Sequence, residues 1–327
     1  MALALPRIVS LLVEPPLGLL ADRGLRRPIV LGGGIAFGLG AGLLAGSTSF
    51  GVFLGALALL DPASGAFVSL SQATLMDTAP SARGRNMARW TLAGGIGAAA
   101  GPLLLAMGVP WRTLFLAYAG LAGLAVLALR DRPFGAPDDD GDAAAGLLEA
   151  LRRPDVLRWL LLLELQDLGS DTLLGFLALS LVESTGASQP GAALAVFGFT
   201  GAGVVGNIVL VRVLHRIDGL SWLRITAAGV AVLFPAFQLL PGLLPKALAV
   251  SAIGFLVSGW YPISQARLYD ALPGRSGTAA AAATTAGALG IALPAAIGLL
   301  AGQVGLAAAL WLVLVAPLAL LLGLPRR

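Results

Sequence analysis

Three acidic side chains lie close together inside one long apolar stretch of the sequence. Glu164, Asp167 and Asp171, in the segment LLLELQDLGSDTLLG, are spaced i, i+3 and i+7, so a helix would carry them on one face. A carboxylate at membrane depth costs ~2.5–3.5 kcal/mol on insertion scales, so three on one face are expected to meet water or a partner. Low dielectric and mutual repulsion favour protonated carboxyls, as proton carriage near neutral pH requires. The alternatives are a substrate-cation site, or polar contacts between helices without titration.

Two further acidic residues each precede a proline within an apolar segment. Asp61 stands directly before Pro62, and Glu14 stands directly before Pro15. A proline leaves one backbone carbonyl without its helical donor and can kink the helix, so both positions are candidate gating points that carry an ionisable group. For Glu14, a pair with Arg7, two turns away on the same face, is the structural alternative.

The residues of enzymes and metal sites are sparse in this sequence. There is no Cys, and the single His, His215, lies in a basic loop. No His, Cys or carboxylate grouping has catalytic-metal spacing, and no Walker glycine loop occurs. Of the 21 basic residues, 20 are Arg, in short clusters between apolar runs, which indicates membrane topology rather than a nucleic-acid patch. We therefore expect no enzyme, no catalytic residue, no cofactor, no metal and no nucleic-acid partner.

Composition places these residues in a membrane protein. Apolar residues make up 57% of the 327 residues, charged residues 12%, and the mean hydropathy is +0.89. Continuous apolar runs of about 20 residues suit transmembrane helices rather than barrel strands. The sequence therefore predicts an all-α, polytopic transmembrane helix bundle. About 11 spans are predicted: 2–20, 28–47, 51–75, 87–106, 111–130, 157–181, 190–211, 222–241, 246–268, 278–300 and 304–324.

The loops between these spans predict the orientation of the chain. Alternating the loops places 18 of the 21 basic residues on one side, leaving only Arg7, Arg112 and Lys246 on the other. The positive-inside tendency makes this arginine-rich side cytoplasmic, with the C-terminus inside a cell membrane. One long polar segment divides the chain into an N-terminal transmembrane half (1–130), a cytoplasmic central loop (131–156) and a C-terminal transmembrane half (157–327). Its DDDGD run has the composition of a solvated linker, and cation binding is the alternative.

The sequence also contains an internal repeat. SQATLMDTAP at 71–80 reappears as SQARLYDALP at 264–273. One offset aligns Ser71, Gln72, Ala73, Leu75, Asp77, Pro80, Gly84, Gly94 and Gly97 with Ser264, Gln265, Ala266, Leu268, Asp270, Pro273, Gly277, Gly287 and Gly290. Both copies fall at the predicted cytoplasmic end of a helix, so the two halves share one orientation. We expect the paired aspartates to pin helix corners, and the paired glutamines to hydrogen-bond across the halves or, the favoured reading, within each half.

This parallel repeat resembles the major facilitator superfamily of transporters. GLLADRGLRR, residues 18–27, is similar to the family's signature loop between its second and third helices. The matching positions are Gly18, Leu20, Ala21, Asp22, Arg23, Arg26 and Arg27. The pattern departs at Leu25, where the family usually has Gly. ARGRNMARW resembles the basic loop after the family's fourth helix, and Gly97, Gly101 and Pro102 resemble part of its antiporter motif.

The resemblance carries expectations about mechanism. It implies that the loop at Asp22 packs against the family's eleventh helix, beginning here near Ser276, as a latch on the cytoplasmic side; setting topology is the alternative. The family's first helix has no counterpart, either because the chain has 11 spans or because the coding sequence begins further upstream.

The expected function is secondary active transport by alternating access: proton-coupled efflux of a small amphipathic compound by a monomer in the lipid bilayer. The alternatives are proton-coupled uptake of a sugar or metabolite, and a non-transporting scaffold or remnant.

Overall fold

The described part of the chain is helical throughout its regular structure. The computed structural model describes residues 4–107, 109–132, 134, 143–273 and 275–325. The helices of the first part are α1 Ala4–Leu20, α2 Arg26–Ala45, α3 Phe50–Ser64, α4 Leu70–Thr78, α5 Arg83–Ala106, α6 Trp111–Leu129 and α7 Ala143–Arg152. Those of the second part are α8 Pro154–Asp167, α9 Leu173–Thr185, α10 Gln189–Val213, α11 Gly219–Leu239, α12 Leu243–Val257, α13 Trp260–Ala271, α14 Ser276–Val304, α15 Leu306–Ala309 and α16 Val315–Gly323.

Each predicted span coincides with helix, and several spans consist of two helices joined by a π turn. The π turns are Ala21–Leu25, Gly65–Ser69 and Leu168–Thr172. Within the described residues, eight segments are long and apolar enough to cross a membrane; one of them, Ile8–Ala45, contains most of α1 together with α2. The all-helical membrane fold is therefore confirmed, while the count of 11 spans stays a prediction.

The central segment predicted as a loop contains a short helix. α7 occupies Ala143–Arg152 and packs against α1. The DDDGD run falls at 138–142, outside the described residues, as do Arg326 and Arg327.

Contacts divide the chain into two compact units. The first comprises Met1–Ala82, Ala100–Leu157 and Leu268–Thr285. In it, α2 packs through glycines on the π turn Gly65–Ser69 and on α6: a Cβ on Gly33 would lie 2.7 Å from the Ala66 Cβ, and a Cβ on Gly34 would lie 2.5 Å from a Val126 methyl. Small residues let helix backbones approach closely where lipid offers no hydrophobic driving force.

The second unit comprises Arg83–Ala99, Arg158–Arg267 and Ala286–Arg327. In it, α10 and α12 pack tightly, since a Cβ on Gly254 would lie only 2.2 Å from the Phe199 carbonyl oxygen. The buried Trp260 donates its indole N–H to Thr226 Oγ1 at 3.1 Å, so this large ring is both packed and hydrogen-bonded.

Large apolar side chains are exposed on many helices. Leu12, Leu194, Val232 and Leu322 each expose more than two thirds of their surface. A water-soluble protein rarely exposes so much apolar surface, whereas hydrocarbon solvates it without cost. These faces are therefore suited to lipid.

Helix boundaries repeat at the offset found in the sequence. α3, Phe50–Ser64, and α12, Leu243–Val257, correspond end to end at 193 residues, and α5 and α14 begin at the corresponding residues Arg83 and Ser276. The offset carries through α1 to α5 without an insertion, so any position in α1 can be compared directly with its counterpart in α10.

Glycine packing on α10 gives a first prediction. Gly206→Ala would bring a Cβ to 2.5 Å from the Phe255 carbonyl oxygen, whereas Gly201→Ala, on the same helix, meets nothing within 4 Å. We expect Gly206→Ala to destabilise the protein by about 1–3 kcal/mol through overpacking, and Gly201→Ala to be neutral or stabilising by up to about 1 kcal/mol. Thermal unfolding in detergent measures both; equal melting temperatures for the two variants would contradict this packing.

Candidate functional site

The signature loop is the π turn that joins α1 to α2. Its backbone leaves helical geometry at Arg23 and at Gly24, and Gly24 has a φ of +88°. A left-handed backbone is strained for any residue with a Cβ, so glycine is required at this point. Gly24 thus supplies the turn one position earlier than the family pattern, and Leu25 has an ordinary φ of −88°.

Asp22 lies at the first turn of α14. Its carboxylate accepts hydrogen bonds from the backbone N–H groups of Gly277 (2.8 Å) and Thr278 (2.6 Å), and from the Thr278 hydroxyl (2.8 Å). Asp22 is only 7% exposed. The first N–H groups of a helix lack intrahelical acceptors and carry partial positive charge, so a buried carboxylate is stabilised there.

Arg26 joins this carboxylate to a second one. Its guanidinium donates to Asp22 at 2.7 Å, to Asp77 at 2.5 Å and to the Ser276 hydroxyl at 2.9 Å. Ser276 also donates to Asp77. Arg26 is 2% exposed, and its fork geometry lets one cation serve both carboxylates. We call this set, Asp22, Arg26, Asp77, Ser276 and Thr278, the latch.

Gly18 allows α1 and α14 to touch. A Cβ at Gly18 would lie 2.6 Å from the Gly277 carbonyl oxygen, and a Cβ at Gly277 would lie 2.3 Å from the Gly18 carbonyl oxygen. Neither backbone could give way without moving its helix. The close approach therefore places Asp22 within hydrogen-bond reach of α14.

The other two arginines of the loop are exposed. Arg23 lies at the surface, and Arg27 donates to the carbonyl oxygen of Arg130 at the end of α6. Within the signature, Arg26 is buried and its hydrogen bonds join the members of the latch.

The paired positions of the repeat have different surroundings. Asp77 belongs to the latch, whereas its partner Asp270 is exposed. Gln72 and Gln265 are both 5% exposed. Next to Gln265, the Ser264 hydroxyl donates to Gln166 at 3.0 Å and so ties α13 to α8. The sequence did not identify Ser276 and Thr278 as site residues, although Ser and Thr are common near the start of a helix.

The three carboxylates predicted on one helical face are distributed over α8 and the π turn that follows it. Glu164 and Asp167 are half-buried, and Asp171 is exposed. The Thr172 hydroxyl donates to Asp167 at 3.5 Å, at the limit of a hydrogen bond. The π turn Leu168–Thr172 separates Asp171 from the regular helix, a feature that often marks functional positions.

The carboxylates of the first unit have definite partners. Asp61 accepts a hydrogen bond from the Ser10 hydroxyl at 2.9 Å, and Glu14 accepts one from the Thr284 hydroxyl at 3.0 Å. The side chain of Arg7 lies outside the described residues, so its expected pair with Glu14 stays a prediction.

The antiporter-like positions lie on α5. Gly97 has open space where a Cβ would be, and a Cβ on Gly101 would lie 3.4 Å from the Tyr118 hydroxyl. The side chain of Pro102 is outside the described residues. No group of three His, Asp or Glu among the described residues has metal-binding geometry.

The fold is similar to the folds of solved membrane transporters. It is similar to a single-residue variant of the Escherichia coli fucose:proton symporter FucP, with a TM-score of 0.83, 17% identity, and coverage of 98% of this chain and 90% of that one. A FucP structure in the outward conformation gives a TM-score of 0.80 at 17% identity, covering 98% and 88%. The human organic anion transporter MFSD10 (TETRAN) gives 0.76 at 21% identity, covering 96% and 82%. At sequence identities of 17–21%, these similarities show that the fold is shared and do not show a shared substrate.

The sequence defines the family. The model of the Major Facilitator Superfamily matches residues 1–295, and the chain belongs to that superfamily. The resemblance in the signature loop and the repeat is therefore confirmed at the level of the family. No curated protein sequence matches the chain.

The latch gives the second prediction. Asp22→Asn keeps the side-chain volume but removes the charge, and hydrogen bonds to charged groups contribute roughly 1.5–3 kcal/mol each. We expect the contact of α1 with α14 to open about tenfold more often. The chain has no Cys, so Ser69→Cys, on the π turn beside α1, can report opening through its maleimide labelling rate at fixed pH.

The matched control for this experiment is Asp131→Asn. Asp131 forms an exposed ion pair with Arg130 at 3.0 Å, and such pairs contribute little. A labelling rate that rises equally in both variants, or in neither, would refute the latch.

Proposed function

We propose that this protein is a secondary active transporter that moves a small molecule by alternating access, with the latch closing its arginine-rich side. The observation that carries this proposal is the contact of Asp22 with Gly277 and Thr278, residues about 255 positions apart that belong to different copies of the repeat. Alternating access requires the repeats to meet through contacts that form and break as a unit. Hydrogen bonds to one helix terminus meet this requirement, because breaking them unfolds neither helix.

The charge balance of the latch supports a switch with two states. Two carboxylates share one guanidinium, and the positive end of α14 supplies the remaining compensation. Separation of α14 would deprive Asp22 of three donors at once. Water entering the gap would then replace them, so closed and open forms can differ by only a few kcal/mol although each bond is strong.

Proton coupling is the finer part of the proposal. Glu164, Asp167 and Asp171 are the candidate carriers, since they occupy one helical segment within a predicted span and two of them are half-buried. The Thr172 hydroxyl beside Asp167 would stabilise either protonation state. A carrier needs such an environment, because it must bind and lose a proton in each cycle.

The direction of transport is proposed as efflux of a small amphipathic compound. Its support is the partial antiporter motif at Gly97, Gly101 and Pro102 and the apolar character of the helices. The second candidate is proton-coupled uptake, which the similarity to a fucose:proton symporter favours. The organic anion transporter among the similar structures adds anions to the substrates to be screened.

Proton movement in proteoliposomes tests this proposal and provides the third prediction. A panel of sugars, organic anions and lipophilic cations is added to vesicles containing a pH-sensitive dye. We expect one class to drive proton movement, inward for a symported and outward for an antiported external compound. Asp167→Asn and Asp171→Asn should each lower its rate at least tenfold, since a neutral side chain carries no proton.

Glu183→Gln is the matched control, since Glu183 is an exposed carboxylate near the end of α9. We expect it to leave proton movement unchanged. Full proton movement in the double variant Asp167→Asn/Asp171→Asn would refute these residues as carriers. Absence of movement with every compound class would contradict proton-coupled transport.

A further inference from the structure

An apolar groove of about 320 Å³ lies among α1, α2, α3 and the π turn Gly65–Ser69. None of its described lining side chains is polar. Its buried lining residues include Gly33, Ala63 and Ala66, whose side chains are small or absent. Val13 and Leu59, also in the lining, expose 38% and 36% of their surface, so the groove is open at the surface of the first unit. The helices around it belong to segments long and apolar enough to cross a membrane.

The second copy of the repeat fills the equivalent space with a large side chain. At the offset of 193 residues, Ile29 in the groove corresponds to Trp222 on α11, and Ala66 corresponds to Gly259. The indole of Trp222 lies against Gly259, where an added Cβ would be 2.8 Å from the ring Cδ1. The ring therefore occupies, in the second copy, space that Ile29 leaves open in the first.

A second pair of positions differs in the same way. In the second copy, Leu256 packs against Gly229, where an added Cβ would lie 2.9 Å from Leu256 Cδ1. The corresponding residues of the first copy, Ala63 and Ala36, both line the groove. The fold therefore does not require a groove at this place. Smaller side chains at equivalent positions open it in one copy.

One end of the groove lies beside exposed positive charge. The lining residues nearest to the π turn Ala21–Leu25 are Leu17 on α1 and Pro28 on α2, each within about one helical turn of it. Arg23 lies in that turn and Arg27 follows it, and both are exposed. A phospholipid with an anionic head group combines an apolar chain with a negative charge at its end, which is the complement of this arrangement.

We propose that the groove is a binding site for one anionic phospholipid of the bilayer. Its acyl chain lies along α2 from Pro28 to Ala36, and its phosphate head group pairs with Arg23 and Arg27 on the arginine-rich side. The distance along α2 is about 12 Å, most of one leaflet of a hydrocarbon core about 30 Å thick. This inference goes beyond the proposed function and does not depend on it.

The chain and the head group contribute differently to this binding. An acyl chain gains little by leaving bulk lipid for a protein surface, because both are apolar, so close fit to the small lining residues fixes its position. Selectivity for a negative head group comes from the arginines, each of which contributes about fivefold in affinity near a membrane surface. Salt weakens that part alone. Filling the groove should therefore remove the lipid, whereas neutralising the arginines should remove only the preference for charge.

Native mass spectrometry of the full-length chain tests the site and gives the fourth prediction. The delipidated protein is mixed with equal amounts of phosphatidylglycerol and phosphatidylcholine that have identical acyl chains. We expect the wild type to retain one phosphatidylglycerol with a preference of about fivefold or more. Ile29→Trp/Ala63→Leu, which copies the side chains of the second repeat, should lower retention of both lipids about tenfold by overpacking the site.

A milder variant guards against loss of the fold. Gly32 lines the groove, a Cβ there meets nothing within 4 Å, and its counterpart in the second copy is Ile225. Gly32→Ile should leave thermal unfolding without lipid unchanged and lower lipid retention about threefold. The matched control is Ile225→Trp/Ala228→Leu, which adds the same side chains at two exposed positions of α11 and should leave retention unchanged.

The head-group contact gives the fifth prediction. Arg23→Gln/Arg27→Gln should retain one lipid with nearly equal amounts of the two head groups, because its uncharged side chains cannot distinguish them. Arg212→Gln/Arg216→Gln, at exposed arginines before α11, is the matched control and should keep the preference. Raising the salt concentration should lower the preference in the wild type and have no effect in Arg23→Gln/Arg27→Gln.

Other results would overturn the proposal. They are a wild type that retains no phospholipid or has no head-group preference, and retention that is unchanged in both groove-filling variants. A dimer that Gly32→Ile dissociates would assign the groove to a second copy of the chain. Retention of a lipophilic cation in place of phospholipid, lost in Gly32→Ile, would assign the groove to a transported compound. None of these measurements uses transport, so failure of the proteoliposome assay and failure of this site are distinguishable.

Discussion

The hydrogen bonds from the first turn of α14 to Asp22 are the interaction on which the candidate site depends. Three donors converge on one carboxylate that is almost fully buried. The charge would be costly there without them, and the helix terminus would be unsatisfied without the charge. The N–H groups therefore offset the cost of burying the Asp22 carboxylate, and the carboxylate supplies the acceptors that the first turn of α14 lacks. This mutual dependence joins a loop near the start of the chain to a helix near its end.

Glycine makes that interaction geometrically possible. The backbones at Gly18 and Gly277 approach so closely that neither position has room for a Cβ. The same device recurs at Gly65, which leaves space for Glu14, and between α10 and α12 at Gly254. Helices in lipid gain little from apolar side chains that meet, because the solvent is equally apolar. Close packing and a few polar contacts must supply the specificity, and the glycines allow both.

The sequence predicted the helical segments well because each apolar run is bounded by charges or turn residues. It also indicated Asp22 and a helix starting near Ser276, through resemblance to the signature loop. It did not predict that Arg26 would bridge Asp22 to Asp77, or that Glu14 would meet Thr284. These contacts join residues 51 and 270 positions apart, and only the packed fold brings them together. Local patterns predict helices and their ends, whereas the partners of buried polar groups are set by tertiary packing.

The repeat turns the second half into an internal comparison for the first. Asp22 corresponds to His215 and Arg26 to Gly219, so the second copy lacks both the buried carboxylate and its guanidinium. Glu14 corresponds to Asn207 in the same way. The ionisable groups Glu14, Asp22 and Arg26 are therefore confined to the first copy, while the order of helices is the same in both copies. Because the scaffold is the same, this difference in charge rather than in architecture distinguishes the two copies at these positions.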